Sequence, residues 1–259
     1  MSLLCIAVQN SQTLIGRYDD GELSAHWRVA TDDRRTADDW GLLITSLLAP
    51  WRGSADVDGL CICSAVPAAL QELRTTAPSY LPHAHTVILG PGVKSGLPVV
   101  TDNPREVGTD RIANAVAALD RFGAPCVVVD FGTATTFDVV DASGQYVGGA
   151  IAPGIELSVQ ALGSRGAQLR QVELMAPRSV IAKNTVEALQ SGAVFGCAGG
   201  VDGIVRRIIA ELGVNQTAVS VVATGELAGV VVDHCETVTH REPWLTIEGL
   251  RLIFDRNAR

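Results

Sequence analysis

The stretch IAVQNSQT, Ile6 to Thr13, returns 123 positions later as VDFGTATT, Val129 to Thr136, and the two align without a gap. Ala7 falls on Asp130, Gln9 on Gly132, Thr13 on Thr136 and Leu14 on Phe137, and the turn glycines Gly21 and Gly144 keep the same offset. No other feature constrains the chain as much, because a repeated frame has to be built from repeated structural units. Only the second copy carries an acid: Asp130 stands where the first copy has Ala7.

The elements around each copy follow the same order. In the first, Leu3 to Val8, Gln12 to Tyr18 and Glu22 to Val29 are short β-rich runs separated by turn residues such as Asp19-Asp20-Gly21. Thr36 caps a helix with Asp39 at its third position and Trp40, Leu43, Ile44, Leu47 and Leu48 on one face. A strand at Val57 to Cys63, a helix around Ala65 to Arg74 and a strand at Thr86 to Leu89 complete a βββαβαβ unit. Asp102 to Gly123 then supplies a turn and a helix, with Ile112, Ala115, Val116 and Leu119 on one face and Gly123 at its end. The second half repeats the plan with strands at Cys126 to Phe131, Thr135 to Val140 and Gln145 to Ile151, a longer helical part, and a strand at Ala218 to Ala223. The expectation is an α/β chain of two halves, 1–117 and 118–259, with a cleft between them and Ala7 and Asp130 facing each other across it.

Composition excludes several function classes. Lys and Arg are scattered singly in a chain of net charge −8, so neither a nucleic-acid partner nor an acidic membrane surface is expected. Apolar runs break well before the roughly 18 residues a membrane span needs, and no basic leader precedes the first strand, so a cytoplasmic location is expected. Cys61 and Cys63 form CxC without a second pair at zinc spacing, and His83 and His85 form HxH without a nearby partner, so buried thiols and no metal centre are expected there.

Chemistry concentrates in four stretches. In VDFGTATTFD a strand delivers Asp130 to its end, Gly132 permits close backbone approach, and Thr133, Thr135 and Thr136 offer hydroxyls. Such a turn can cradle phosphate while the carboxylate holds a cation, although an ordinary hairpin with exposed threonines would read the same way. DNPREVGTDR, Asp102 to Arg111, sets Asp110, a possible base, beside Arg111, a fork for an anion. It also reads as a helix start with Asn103 as cap, Pro104 first and Glu106 third. GGAIAPGIELS, Gly148 to Ser158, suits close approach of a ligand or a neighbouring backbone to a helix start. ATGELAG, Ala223 to Gly229, is a strand-to-glycine exit of the kind adenine or ribose sits beside.

Taken in order, NPREVGTDR, VDFGTATTFD, GGAIAPGIELS, KNTVEALQSGAVFG and ATGELAG make the chain resemble the type III pantothenate kinase family, essentially from the first strand to LTIEGLRLIFDRN. The resemblance implies the duplicated ribonuclease-H-like fold of actin-like ATPases and sugar kinases. It implies ATP-dependent phosphorylation of pantothenate, the first step to coenzyme A, by a homodimer using Mg²⁺ and a monovalent cation, K⁺ or NH₄⁺. It further implies Asp110 as the base, Gly108, Arg111 and Thr185 on the substrate, and Asp130 on the monovalent cation. Asn10, Gly132, Thr133, Thr135, Thr224 and Gly225 are implied on ATP.

The chain departs from the family's opening DxGNT, since the same frame reads Ala7-Val8-Gln9-Asn10-Ser11 and keeps only Asn10. Ala7 offers no ligand to a metal, and Gln9 adds a side chain where phosphate would approach. Gly166 stands near Arg165 where the family usually has threonine, and Glu226 replaces a common glycine in the adenosine loop. Severe impairment of the kinase is therefore expected, with a non-catalytic homologue or a phosphotransferase for another acceptor as the alternatives.

Overall fold

The computed structural model describes residues 1–51, 57–165 and 172–258. The chain divides into two compact units, one made of Met1–Leu97, Asn103–Ala117 and Thr246–Arg259, the other of Pro98–Asp102 and Ala118–Leu245.

The first unit holds β1 (Ser2–Val8), β2 (Gln12–Asp19), β3 (Glu22–Ala30), α1 (Ala37–Leu48), β4 (Gly59–Ser64), α2 (Pro67–Tyr80) and β5 (His85–Ile88), the expected βββαβαβ order. Its sheet runs β3-β2-β1-β4-β5, with β1, β4 and β5 parallel and β1, β2 and β3 antiparallel. Every residue of β1 is buried, which is why the most apolar run of this half takes the centre, where both faces are covered. Leu4, Ile6 and Val8 pack with Trp40, Ile44, Leu48 and Leu73 of α1 and α2. Leu3, Cys5 and Ala7 point to the other face.

Part of that second face is covered by a helix from the far end of the sequence, α7 (Leu245–Asn257). A Cβ on Gly16 would collide with Ile247, and one on Gly59 with Phe254, so these strand glycines are the seats of the helix. The stretch Asp102 to Arg111, which sequence reading also took as a capped helix start, divides differently. Asn103 makes no side-chain cap, Pro104–Glu106 form a separate 3-10 turn, and α3 (Thr109–Phe122) begins two residues after Val107. The residues of α3 up to Ala117 belong to the first unit.

Thr36 and Asp39 form the expected reciprocal cap on α1: the Asp39 amide donates to the Thr36 hydroxyl at 3.3 Å and the Thr36 amide to the Asp39 carboxylate at 3.0 Å. Helix α2 starts later than its sequence suggests and runs past Arg74. The Ser64 hydroxyl accepts from the Val66 amide and donates to the Val66 carbonyl, holding a turn that delays the helix to Pro67. Pro78 costs the helix one backbone hydrogen bond, and burial of Leu73 and Ala77 carries it through.

The second unit holds β6 (Cys126–Phe131), β7 (Ala134–Val140), β8 (Tyr146–Pro153), α4 (Ile155–Arg165), α5 (Thr185–Leu212), β9 (Ser220–Thr224), α6 (Ala228–Val231) and β10 (His240–Arg241). Its strand order, β10-β9-β6-β7-β8, is the first sheet's order with each strand replaced by its counterpart. Val127, Val129, Phe131, Phe137, Val221 and Ala223 make a core with Val194, Val201 and Val205 of α5. Sequence reading did not identify β10, because two residues cannot display a period. No helix among the described residues is long and apolar enough to cross a membrane.

The strand registers correct the gapless repeat. Ala7 pairs with Cys63 in β4 and Leu14 in β2, while Asp130 pairs with Thr224 in β9 and Thr136 in β7. Leu14 is therefore the counterpart of Thr136, not of Phe137, and Thr13 that of Thr135. The first turn is Gln9-Asn10-Ser11 in one half and Gly132-Thr133 in the other, one residue shorter. The next turn restores the offset, with Ala142-Ser143-Gly144 against Asp20-Gly21. Between the two turns both halves carry a register shift at the same place, Arg17/Tyr18 and Val139/Val140. A shared bulge is better evidence of common construction than a shared spacing, since a bulge re-aims every side chain beyond it.

Candidate active site

In the second unit, strand alternation places Asp130, Thr136 and Thr224 on one face of the sheet. Asp130 has the other two as its cross-strand neighbours. Asp130 is 7% and Thr224 2% exposed and Thr136 is half-buried, so a carboxylate and two hydroxyls are gathered at a largely covered place. The Thr136 hydroxyl also lies 3.2 Å from the carboxylate of Asp138, itself bonded at 2.7 Å by the Tyr146 hydroxyl. Hard oxygen donors of this kind suit an alkali, ammonium or magnesium ion rather than a thiolate-seeking metal. Among the described residues no group of three or more His, Cys, Asp and Glu is arranged to hold a metal, so any cation here would rest on Asp130 and neutral oxygens.

Two glycines set the shape around Asp130. Gly225 follows Thr224 at φ +92°, and a Cβ there would meet the Asp130 carboxylate and the backbone of Phe131. Gly154, just before α4, lies against the carbonyl oxygens of Gly132 and Thr133, and its amide donates to the Thr133 carbonyl at 3.1 Å. The approach that the GGAIAPGIELS stretch suggests is thus one of backbone to backbone. Gly132 has no such constraint, its nearest neighbours to a built Cβ being 3.7 Å and 3.9 Å away. We expect Gly225→Ala to lower stability by about 3 kcal/mol, from the left-handed backbone and the contact with Asp130 together, and Gly132→Ala by less than about 1 kcal/mol. Thermal unfolding of the two variants checks this, and equal Tm values would show that Gly225 is not the tight point.

The remaining expected phosphate and substrate residues of this unit are placed less uniformly. Gly132 and Thr133 form the turn itself, with Thr133 exposed. Thr135 points to the opposite face from Asp130 and lines a pocket of about 390 Å³ with Phe137, Ala188, Leu189 and Gly192. Thr136, which sequence reading named as a hydroxyl of this loop but did not place on ATP, is the hydroxyl beside Asp130. Its signal was the corrected register, which no spacing rule shows. Thr185 is the first residue of α5, capped by Asn184, one turn before Ala188 and Leu189 of the same pocket. Glu226 is half-buried beside Gly225. Gly166 lies outside the described residues.

In the first unit, Ala7 is fully buried and turned to the face that carries Cys61, Cys63 and the start of α3. Burial pushes the Cys63 thiol well above its usual range, and the Asp110 charge pushes it further, while the Thr109 hydroxyl opposes the rise. Asp110 therefore lies next to the strand position that pairs with Ala7. Its carboxylate folds back over Gly108, where a Cβ would lie 2.6 Å from Oδ1. Arg111 follows it on α3.

Gln9, Asn10 and Ser11 form the turn beyond Ala7. The Gln9 amide donates to the Gln12 carbonyl at 2.9 Å and its carbonyl accepts from the Thr31 hydroxyl at 2.8 Å, with Thr13 a further 2.9 Å from that hydroxyl. Asp20 is the only non-glycine residue described at positive φ, so Gln9 is unstrained and its effect is one of occupied space. No carboxylate projects from this turn, and the turn does not fit a magnesium ion held by protein ligands.

Comparison with known proteins adds a family to this geometry. A family model described as type III pantothenate kinase matches residues 3–207. The type III pantothenate kinase of Nocardioides sp. is 59% identical over 261 residues, covering 100% of both chains. Those of Thermobifida fusca and Streptomyces coelicolor are 55% and 52% identical, covering 99% of this chain and 100% and 98% of theirs. Among solved structures, component A of (R)-2-hydroxyglutaryl-CoA dehydratase from Acidaminococcus fermentans superposes at TM-score 0.61 with 15% identity, covering 100% of each chain. The ROK hexokinase of Thermus thermophilus does so at 0.55 with 12% identity, also over 100% of each. At these identities the structural likeness speaks for the fold alone, that of actin-like ATPases and sugar kinases.

Proposed function

The chain belongs to the type III pantothenate kinase family, and on that premise we propose that it transfers the γ-phosphoryl group of ATP to pantothenate, giving ADP and 4′-phosphopantothenate, at a rate reduced by its first loop. The observation that carries the reading is full-length identity above one half to proteins of that name, joined to an intact second loop around Asp130. Asp110 accepts the proton of the attacking hydroxyl as its oxygen bonds to phosphorus and ADP leaves. Gly108, Arg111 and Thr185 orient the acceptor. Gly132 and Thr133 receive the phosphates, Thr135 follows them in the loop with its side chain on the opposite face, Asn10 adds a contact from the first loop, and Thr224 and Gly225 border the adenosine. Asp130, with Thr136 and Thr224, would hold a monovalent cation, whose charge offsets that of the phosphates.

The reduction follows from Ala7 and Gln9, since catalysis of phosphoryl transfer consists largely of positioning and charge neutralisation. The test is formation of 4′-phosphopantothenate under saturating ATP, Mg²⁺ and K⁺, compared with the Nocardioides relative. Product at the relative's own rate would refute the impairment, and no ATP-dependent product at all would refute the kinase.

We further propose a cytoplasmic homodimer joined through the α4–α5 face of the second unit. Gly192, Gly196, Gly199 and Gly200 have no described atom within 4 Å of a built Cβ, so these small residues of α5 are not filled by the chain's own packing. Leu162 of α4, which lines the same pocket as Gly192, Gly196 and Gly200, is 53% exposed, an apolar side chain left uncovered beside this stripe. Light scattering at micromolar concentration should give twice the chain mass of 27.2 kDa, and Gly196→Trp should give a folded monomer. A monomeric unmodified protein would end this part of the proposal.

A further inference from the structure

We propose that Arg241 is a base-recognition residue for the nucleotide, an assignment that rests on the kinase reading above. The strand order carries the argument. The turn that receives phosphate joins β6 to β7, Thr224 and Gly225 end β9 one strand away, and β10 lies beyond β9. Neighbouring strands are about 4.8 Å apart, so a nucleotide whose phosphates lie at the first position and ribose at the second extends its base towards the third. Ligands of parallel sheets gather at these carboxyl ends.

At that third position stands Arg241. It is the last residue of β10, in register with Ala223, and the Glu242 amide fixes the end of the strand by donating to the Ala223 carbonyl at 2.8 Å. Its register with Ala223 turns the side chain to the α6 face, and there the guanidinium lies on Gly229. A Cβ built on Gly229 would be 2.6 Å from Nη2, so this glycine of the ATGELAG stretch is what leaves room for it. Gly229 is the second residue of α6, and the Ala228 amide before it turns back to the Gly225 carbonyl at 3.4 Å, which sets the guanidinium near the loop that borders the adenosine.

The side chain is exposed and makes no ion pair or hydrogen bond among the described residues. Arg121, Arg206 and Arg251, elsewhere in the chain, each have a carboxylate. A planar cation seated on a backbone and spared an acid partner is suited to lie against an aromatic ring, and a purine presents one. The phosphates lie two strands away, beyond its direct reach in this seating.

Calorimetric titration with the non-hydrolysable analogue AMPPNP and with inorganic tripolyphosphate, both with Mg²⁺, separates the possibilities without relying on turnover. Arg241→Ala should weaken AMPPNP roughly tenfold, the scale of a cation over an aromatic face, and leave tripolyphosphate unchanged. Arg241→Lys should recover little, because an ammonium lacks the flat face. Gly229→Ala should reproduce the selective loss by displacing the guanidinium. Unchanged AMPPNP affinity in Arg241→Ala, or equal losses for both ligands, overturns the assignment and leaves the kinase reading standing. Failure of the unmodified protein to bind either ligand overturns both.

Discussion

The double variant Ala7→Asp with Gln9→Gly forms 4′-phosphopantothenate roughly a hundred to a thousand times faster than the unmodified chain, the scale of restoring one group that neutralises transition-state charge. Position 7 is the penultimate residue of β1 and pairs with Cys63 as Asp130 pairs with Thr224, so a carboxylate there occupies the same strand end as its counterpart. It would also be a second acid near Asp110, in a place where the present residue is fully buried. Without a cation that arrangement is unfavourable, and we expect the variant to lose about 1–3 kcal/mol of stability in the absence of Mg²⁺ and ATP. Adding both should recover most of it. A coupled assay and a thermal melt with and without Mg²⁺-ATP measure the two effects. A stable variant with no gain in rate would mean that the substrate or adenosine sites have also diverged, at Gly166 and Glu226, and that pantothenate is no longer the acceptor.

Asp110→Asn in that same double variant lowers kcat by about 10²–10⁴, with little change in the KM for ATP, because the base acts on the acceptor's proton and not on the nucleotide. The reactivated background is the one to use, since its rate leaves room for a loss of that size. Gly108→Ala provides the geometric control. Its methyl would lie where the Asp110 carboxylate now sits, so it should displace the base without removing it and cost kcat about tenfold. An Asp110→Asn variant with full kcat would remove Asp110 from the chemistry. Equal losses from both substitutions would show that position, more than the charge, is what the site requires.

Much of the fold is legible in the sequence, for a reason that shows in particular strands. Leu3 to Val8 and Cys126 to Val129 are continuous apolar runs, the pattern of central strands covered on both faces. Thr36 with Asp39 marks the start of α1 because the cap is made within four residues. The 3-10 turn at Pro104 and the late start of α2 are missed because local propensity permits a helix at both places, and the Ser64 turn ahead of α2 needs the strand before it in position.

The sequence by itself determined the duplicated α/β plan, the family, the absence of an acid at position 7 and the candidate pair Asp110 and Asp130. These are statements about residue identity and local order, which are carried by the chain whatever its folding. Only the tertiary structure decided that the repeat slips by one residue in its second strand, that Thr136 and not Thr135 stands beside Asp130, and that α7 closes the first sheet from the opposite end of the sequence. Each of these depends on register or on contacts between distant segments. In a strand, one residue of slip moves every side chain to the other face, so a site read by spacing alone is exposed to an error that only the observed hydrogen-bond ladder removes.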